Sequence, residues 1–173
     1  MQVYIPVTLA MLRQLVADQS LRPVNGTAFA VTPRLREAYA EGDDDELGEV
    51  ALREAALASL RLLAAADASE QPDAKLPPRR AVLVADVKDA GAATLRPDLD
   101  DAVVRIAVPV AIDDVIAAYV DNAAAEADVM AAIAVIDEAD LGDEDAELTV
   151  GDAQDHDLAW YATQELPFLL DLL

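Results

Sequence analysis

The sequence lacks several residue types on which common protein chemistries depend. It has no cysteine among 173 residues, which excludes disulfides, thiolate metal sites and thiol catalysis. Aromatic residues make up 4% of the chain, with one tryptophan, Trp160, and one histidine, His156. Glycine-rich phosphate loops of the G-x-G-x-x-G or G-x-x-x-x-G-K-[ST] type are missing as well. We therefore expect no cofactor and assign no catalytic residue.

Positive charge is missing from the last part of the chain. Arg105 is the last basic residue, and 106–173 holds 17 of the 34 acidic residues. The segment 1–105 carries the other 17 acids and all 12 lysines and arginines, and the net charge is −22. Such a surface repels phosphate groups, so we expect no direct binding to nucleic acid or to membranes. The acidity serves either solubility alone or docking of a basic protein partner.

Long hydrophobic runs are missing too, because no stretch approaches 18 uninterrupted apolar residues. The opening MQVYIPVTLAMLRQLVADQSL has no basic region and contains Pro6, so we interpret it as a strand and a helix rather than a signal peptide. We expect a soluble cytoplasmic protein. Its length suits a single domain, 1–173, with a core of Val, Leu, Ile and Ala.

Hydrophobic patterns predict an alternation of strands and capped helices. The clearest helix is 42–66, which Asp43 to Asp45 would cap, and Thr8 and Thr32 suit two further helix starts. The order of elements favours an α+β (or α/β) sandwich, in which helices cover a mixed sheet of about five strands. The predicted strands span residues 3–7, 27–32, 81–87, 102–110 and 116–121. The third and fourth could form an antiparallel hairpin around a loop at 88–101.

The end of the sequence predicts an acidic loop at about 137–155, with a possible short strand at ELTV, and a C-terminal helix at about 156–173. On that helix His156 and Trp160 would be one turn apart and in contact. The segment DHDLAWYATQEL is then either the packed start of the terminal helix or a partly exposed recognition element. Neither 42–46 nor 137–147 has the ligand register of a calcium loop. Two or three of these carboxylates either hold magnesium or serve as helix caps at 42–46 and as a solvated linker at 137–147; we favour the second interpretation and expect no metal site.

Six residues are candidate binding residues. Tryptophan either anchors a core or acts as an interface hot spot, and arginines at a helix start either hold an anion or pair with surplus acids. The candidates are Trp160, Tyr161, His156, Glu165, Arg34 and Arg36.

Two long stretches, AVTPRLREAYAEGDDDELGEVAL and DHDLAWYATQELP, together with the opening VYIPVTLAMLRQLV, resemble an uncharacterised family of small acidic actinobacterial proteins, a domain of unknown function. The resemblance covers nearly the whole chain. It implies a bacterial, cytoplasmic origin and brings no activity, ligand or catalytic residue with it.

Two functional hypotheses remain open. The first is a non-enzymatic interaction or regulatory protein with an acidic docking surface, which we favour. The second is a small enzyme or a binder of anionic small ligands, with a pocket that gathers Arg34, Arg36 and His156 near Tyr161 and Glu165. The second hypothesis requires these segments to meet in space. The oligomeric state is left open.

Overall fold

The computed structural model describes residues 1–39, 41–68, 76–89 and 91–173. The strands in these ranges are β1 (Gln2–Val7), β2 (Ser20–Leu21), β3 (Thr27–Phe29), β4 (Ala81–Asp86), β5 (Ala93–Leu95), β6 (Val103–Ile106), β7 (Val110–Ala111), β8 (Val115–Val120) and β9 (Ala159–Ala162). The α-helices are α1 (Leu9–Asp18), α2 (Pro33–Ala38), α3 (Asp44–Ala68), α4 (Glu126–Asp140), α5 (Glu144–Gln154) and α6 (Leu166–Asp171).

The architecture is α+β, as predicted, but the sheet differs from the expectation. In the described part of the chain, seven strands form one sheet in the order β5-β6-β3-β1-β4-β8-β9, and β2 pairs separately with β7. Every neighbouring pair is antiparallel, so the predicted mixed sheet of about five strands is wrong in both respects. The two additional strands of the large sheet, β5 and β9, are short and come from segments predicted as loop and helix.

Helices cover both faces of the sheet. Side chains alternate between the two faces along each strand, and both faces carry apolar residues that pack against helices. On one face Val3, Ile5 and Val7 pack with leucines of α1 and α6. On the opposite face Phe29 and Val82 pack with α3. The hydroxyl of Thr8 caps α1 by accepting the amide of Met11, as the sequence predicted. We refer to these two sides as the α1 face and the α3 face.

Helix α3 is the long helix predicted at 42–66. The Asp43 carboxylate accepts the backbone amide of Glu46 and caps its start. In its middle, the buried Ser59 hydroxyl donates to the carbonyl of Val7 at 2.7 Å and accepts the amide of Ala81 at 3.0 Å. This side chain therefore ties α3 to two central strands. None of the described helices is long and apolar enough to cross a membrane.

The predicted hairpin between the third and fourth strands does not form. Strand β4 lies between β1 and β8, whereas β6 lies between β3 and β5. The segment 88–101, predicted as a loop, contains β5, which pairs with β6 from Ala93↔Ile106 to Leu95↔Val104. Pairing partners in a sheet depend on long-range packing, which local patterns do not encode.

The predicted acidic loop at 137–155 is largely helical. Helix α4 continues to Asp140 and α5 spans Glu144–Gln154, so the short strand expected at ELTV is also wrong. The Asp143 carboxylate accepts the amide of Ala146 and caps α5. Ala146, Val150 and Ala153 then share one buried face at helical spacing. Burial of this face outweighs the low helix propensity of Thr149 and Gly151.

The predicted C-terminal helix at 156–173 is also wrong. Residues Ala159–Ala162 form strand β9, and only Leu166–Asp171 are α-helical, with Pro167 in the first turn. Aromatic residues favour strands, and Trp160 and Tyr161 point to opposite faces of the sheet because they are adjacent in β9. His156 and Trp160 therefore do not share a helix.

Candidate functional site

The outward face of α5 combines carboxylates with an exposed leucine. The inward positions Ala146, Val150 and Ala153 are buried, so the intervening positions point into solvent. These exposed positions are Glu144, Asp145, Glu147, Leu148 and Asp152. Leu148 is 70% exposed in the middle of this face. The face therefore offers negative charge and an apolar contact together.

The turn between α4 and α5 extends this surface. Leu141 is 89% exposed, and Gly142 adopts a φ of 95°, a conformation that favours glycine. Asp140 accepts two hydrogen bonds from Arg61 of α3, at 3.0 and 3.1 Å, which lower the pKa of this carboxyl. Asp140 thus fastens the turn to α3. We call the segment from Glu126 to Gln154 the α4–α5 hairpin.

A buried ion pair fixes the hairpin to the sheet. Arg80 is 1% exposed and Asp121 0% exposed, and the guanidinium of Arg80 donates to both carboxylate oxygens at 2.8 and 2.7 Å. The same guanidinium donates to the side chain of Gln154 at 2.8 Å and to the carbonyl of His156 at 2.9 Å. The end of α5 and the segment that follows it are therefore attached to the centre of the fold.

His156 connects this segment to α4. Its Nε2 lies 2.7 Å from a carboxylate oxygen of Asp128, and the ring lines a cavity of about 420 Å³ with Arg53, Gln154 and Asp157. The described lining of this cavity includes no hydroxyl or thiol side chain. The contacts of His156 thus position the chain between α5 and β9.

Strand β9 forms one edge of the large sheet and carries the tryptophan. Trp160 lies opposite Tyr119 of β8 on the α3 face and is 56% exposed. Tyr161 lies opposite Ala118 and packs against the core of the α1 face. Glu165 follows the strand and is exposed. Trp160 is therefore a surface residue, and Tyr161 contributes mainly to the core.

Arg36 lines a cavity of about 760 Å³ between α3 and the sheet. Its guanidinium forms a salt bridge with the carboxylate of Asp44. Tyr4 and Tyr119 line the same cavity, and burial raises the pKa of Tyr119, with further contributions from Tyr4 and Glu49. The charge of Arg36 is matched within the cavity wall, so the cavity offers no free cationic group from this side chain.

Arg34 lies elsewhere. It donates to the carboxylate of Asp101 at 3.3 Å, beside a smaller cavity of about 270 Å³. The hydroxyl of Thr32 caps α2 by accepting the amide of Leu35, as predicted. Arg34 therefore points towards the 97–103 segment and lines a different cavity from His156.

The predicted site residues thus lie in separate regions of the structure. Arg34, Arg36 and His156 line three different cavities, and Tyr161 and Glu165 belong to the β9 region. The structure does not gather them into one pocket. His156, Trp160, Tyr161 and Glu165 do remain near one another along the chain that leaves α5. Among the described residues, no group of three or more His, Asp or Glu side chains is arranged to hold a metal ion.

Comparison with known proteins identifies the family. A model of a family of unknown function, DUF6912, matches residues 1–170. The chain belongs to this family. No match was found among the curated proteins or the solved structures. Family membership in DUF6912 therefore assigns the chain to a group without assigning an activity.

The residue patterns of the sequence did not point to the residues that hold the surface in place in this DUF6912 member. Arg80 directly precedes β4 and Asp121 directly follows β8. Because Ala81 pairs with Val120, the two charged residues lie opposite each other. The sequence does show an arginine and an aspartate at the ends of two buried strands. This observation predicts an ion pair only once β4 and β8 are known to be neighbours.

Proposed function

We propose that this protein is a non-enzymatic interaction protein that binds a basic protein partner through the α4–α5 hairpin. The observation that carries the proposal is the outward face of α5, where Leu148 is exposed among Glu144, Asp145, Glu147 and Asp152. Carboxylates attract and orient a basic surface, and a leucine in their midst supplies apolar area to bury on contact.

The charges of this face are available to a partner. In the described ranges, the salt bridges of the hairpin involve Glu126, Asp128 and Asp140, on α4. No described cation pairs with the four carboxylates of α5. Exposed carboxylates without local counter-charges produce a negative potential over the hairpin, which increases the association rate of a cationic partner at low ionic strength.

The hairpin is also attached at both ends by hydrogen bonds, which favours binding. Arg80 holds the side chain of Gln154, and Arg61 holds Asp140 at the other end of the hairpin. A surface that is ordered before binding loses less conformational entropy when the partner docks.

The alternative of a small enzyme or anionic-ligand binder receives less support. The guanidinium groups of Arg34 and Arg36 are paired with Asp101 and Asp44, and His156 lines a different cavity. An anion would have to displace a carboxylate from either arginine. The proposal also includes a cytoplasmic location and an actinobacterial origin, which rest on the resemblance of DHDLAWYATQELP and the associated segments.

Affinity capture with matched variants tests the proposal. The full chain is used as bait at about 50 mM and about 300 mM ionic strength, conditions that change the screening length roughly twofold. The test variant is Glu144→Gln, Asp145→Asn and Glu147→Gln. The control variant, Asp18→Asn, Glu41→Gln and Asp171→Asn, has the same change in net charge at exposed positions away from the hairpin.

We expect a lysine- and arginine-rich partner that the wild type and the control retain and the test variant loses. Once purified, that partner should bind the test variant roughly tenfold more weakly at low ionic strength. Leu148→Ser should weaken binding at both ionic strengths, because it removes apolar contact rather than charge. Equal capture by the test and control variants would contradict the proposal, as would an absence of any salt-sensitive partner.

A further inference from the structure

The outer edge of β9 has no strand partner in the described part of the chain. On its inner side β9 pairs with β8, from Ala117↔Ala162 to Val120↔Ala159, and no described residue adds a strand on the outer side. In an edge strand, alternate backbone N–H and C=O groups point away from the sheet. These groups are a template for an extended segment of another chain.

The charge around this edge determines which segment fits. Asp155 and Asp157 precede β9, Glu165 follows it, and all three are exposed. A second copy of this chain would bring the same carboxylates to the same edge, and like charges on adjacent strands are destabilising. An added strand with lysine or arginine side chains meets the opposite sign. The flanking carboxylates therefore disfavour self-association and favour a basic segment.

Trp160 adds a contact on one face of the edge. Its indole lies next to Tyr119 on the α3 face and is 56% exposed. Side chains of an added strand that point to the same face would lie beside this indole. Lysine and arginine interact favourably with the face of an indole ring. Charge and aromatic contact thus select the same kind of residue.

We propose that β9 binds an extended, lysine- or arginine-bearing segment of the partner as an eighth strand of the sheet. This inference rests on the proposed function, because it specifies how part of the basic partner binds beside the hairpin. Asp155 and Asp157 connect α5 directly to β9, so the two contact surfaces are continuous along the chain.

A peptide titration tests the inference with the full chain. The probe is a hexapeptide of alternating lysine and valine, and its control is the same peptide with every backbone nitrogen methylated. The control keeps the charge but cannot donate backbone hydrogen bonds. Because Trp160 is the single tryptophan, its emission reports on the edge directly. We expect the probe to shift the emission to shorter wavelength, and the methylated peptide to bind at least roughly tenfold more weakly.

Two further measurements make the result specific to β9. Amide hydrogen exchange should slow at alternate residues of Ala159–Ala162 when the probe binds, since only every second amide of an edge strand faces outward. By calorimetry, Trp160→Ala should weaken probe binding several-fold. Phe168→Ala should not, although Phe168 of α6 is also aromatic and 72% exposed.

The outcomes separate this inference from the proposed function. Salt-sensitive probe binding without an emission shift, and with equal affinity for the methylated peptide, overturns strand addition but leaves the acidic docking surface in place. If the probe fails to bind while a basic partner is captured through the hairpin, strand addition is again overturned and the acidic docking surface is kept. Failure of both the probe and the capture experiment overturns both.

Discussion

Arg80 and Asp121 form an ion pair that is buried at the junction of β4, β8 and α5. Two guanidinium nitrogens of Arg80 donate to the two carboxylate oxygens of Asp121, and the backbone amide of Arg80 donates to the same carboxylate at 2.8 Å. Every oxygen of the carboxylate therefore has a donor. The pair joins the centre of the sheet to the chain that carries the candidate surface.

Removal of one partner of this pair should be strongly destabilising. Asp121→Ala leaves the guanidinium of Arg80 buried without its counter-charge, and we expect a loss of about 3–5 kcal/mol in the free energy of unfolding. Urea denaturation followed by circular dichroism measures it. The double variant Arg80→Met, Asp121→Leu should be less destabilised than Asp121→Ala, since no buried charge remains. A double variant that is as unstable as Asp121→Ala would contradict this account.

Two helical glycines provide a matched comparison. A methyl group added at Gly151 of α5 meets no atom within 4 Å, so Gly151→Ala should stabilise the protein by about 1 kcal/mol through helix propensity. The same change at Gly48 of α3 places the methyl 3.0 Å from the hydroxyl of Tyr4, and the gain should be smaller or absent.

The hydroxyl of Tyr4 is then the cause of the difference. In a Tyr4→Phe background, Gly48→Ala should stabilise more than it does in the wild type, because the obstructing oxygen is gone. Thermal melts of the wild type, the two single variants and the double variant measure the coupling between Tyr4 and Gly48. Equal stabilisation at Gly48 in both backgrounds would exclude this steric explanation.

Glu54 should make the protein less stable as the pH rises. Burial raises the pKa of this carboxyl, Asp100 raises it further, and Arg61 and Arg53 oppose the change. A carboxyl with a raised pKa in the folded state binds its proton more tightly when folded, so folding loses stability as the pH rises through the folded pKa. Glu54→Gln should therefore raise the urea midpoint at pH 7. The difference from wild type should shrink as the pH falls to about 4 and below.

The exposed Glu41 is the control for this effect. Glu41→Gln should leave the midpoint nearly unchanged at both pH values. If Glu54→Gln raises the urea midpoint as much under acidic conditions as at pH 7, ionisation of Glu54 is not the cause of the stabilisation.

Ser59 should contribute more to stability than its size suggests. Its hydroxyl satisfies the carbonyl of Val7 and the amide of Ala81, and the residue is fully buried. Ser59→Ala leaves both backbone groups without this partner, and we expect a loss of about 1–3 kcal/mol. Chemical denaturation measures the loss, and Ala58→Ser, at the adjacent half-buried position, serves as a control that adds a hydroxyl without removing a contact.

Local signals predicted three helices that begin with a cap. Thr8, Thr32 and Asp43 each accept a backbone amide at a helix start, as their positions indicated. Helix α5 was missed even though Asp143 caps it in the same way. Its acidic composition and Gly151 resemble a loop, and its helical state depends on burial of Val150 and Ala153 against α3 and α4. That dependence is tertiary and is not visible in a local window.

The candidate surface could be predicted only in part. The one-sided acidity was evident from the sequence, and Trp160 was a candidate that was predicted to be either a core anchor or an interface contact, without its setting on an edge strand. The interpretation of His156 and Trp160 as helical neighbours failed because β9 forms only through pairing with β8. Arg80 and Asp121 were missed for the same reason, since they become partners across two strands that are far apart in the chain.

The burial of the Arg80–Asp121 pair separates the shape of the proposed docking surface from its charge. Dissolved ions reach the carboxylates of α5 and reduce their attraction for a partner, but they do not reach a pair that is 1% and 0% exposed. Raising the ionic strength should therefore weaken the proposed recognition of a basic partner while the surface keeps its geometry. For the proposed basic partner, the slope of log affinity against log salt concentration should then reflect the number of charges that the partner engages.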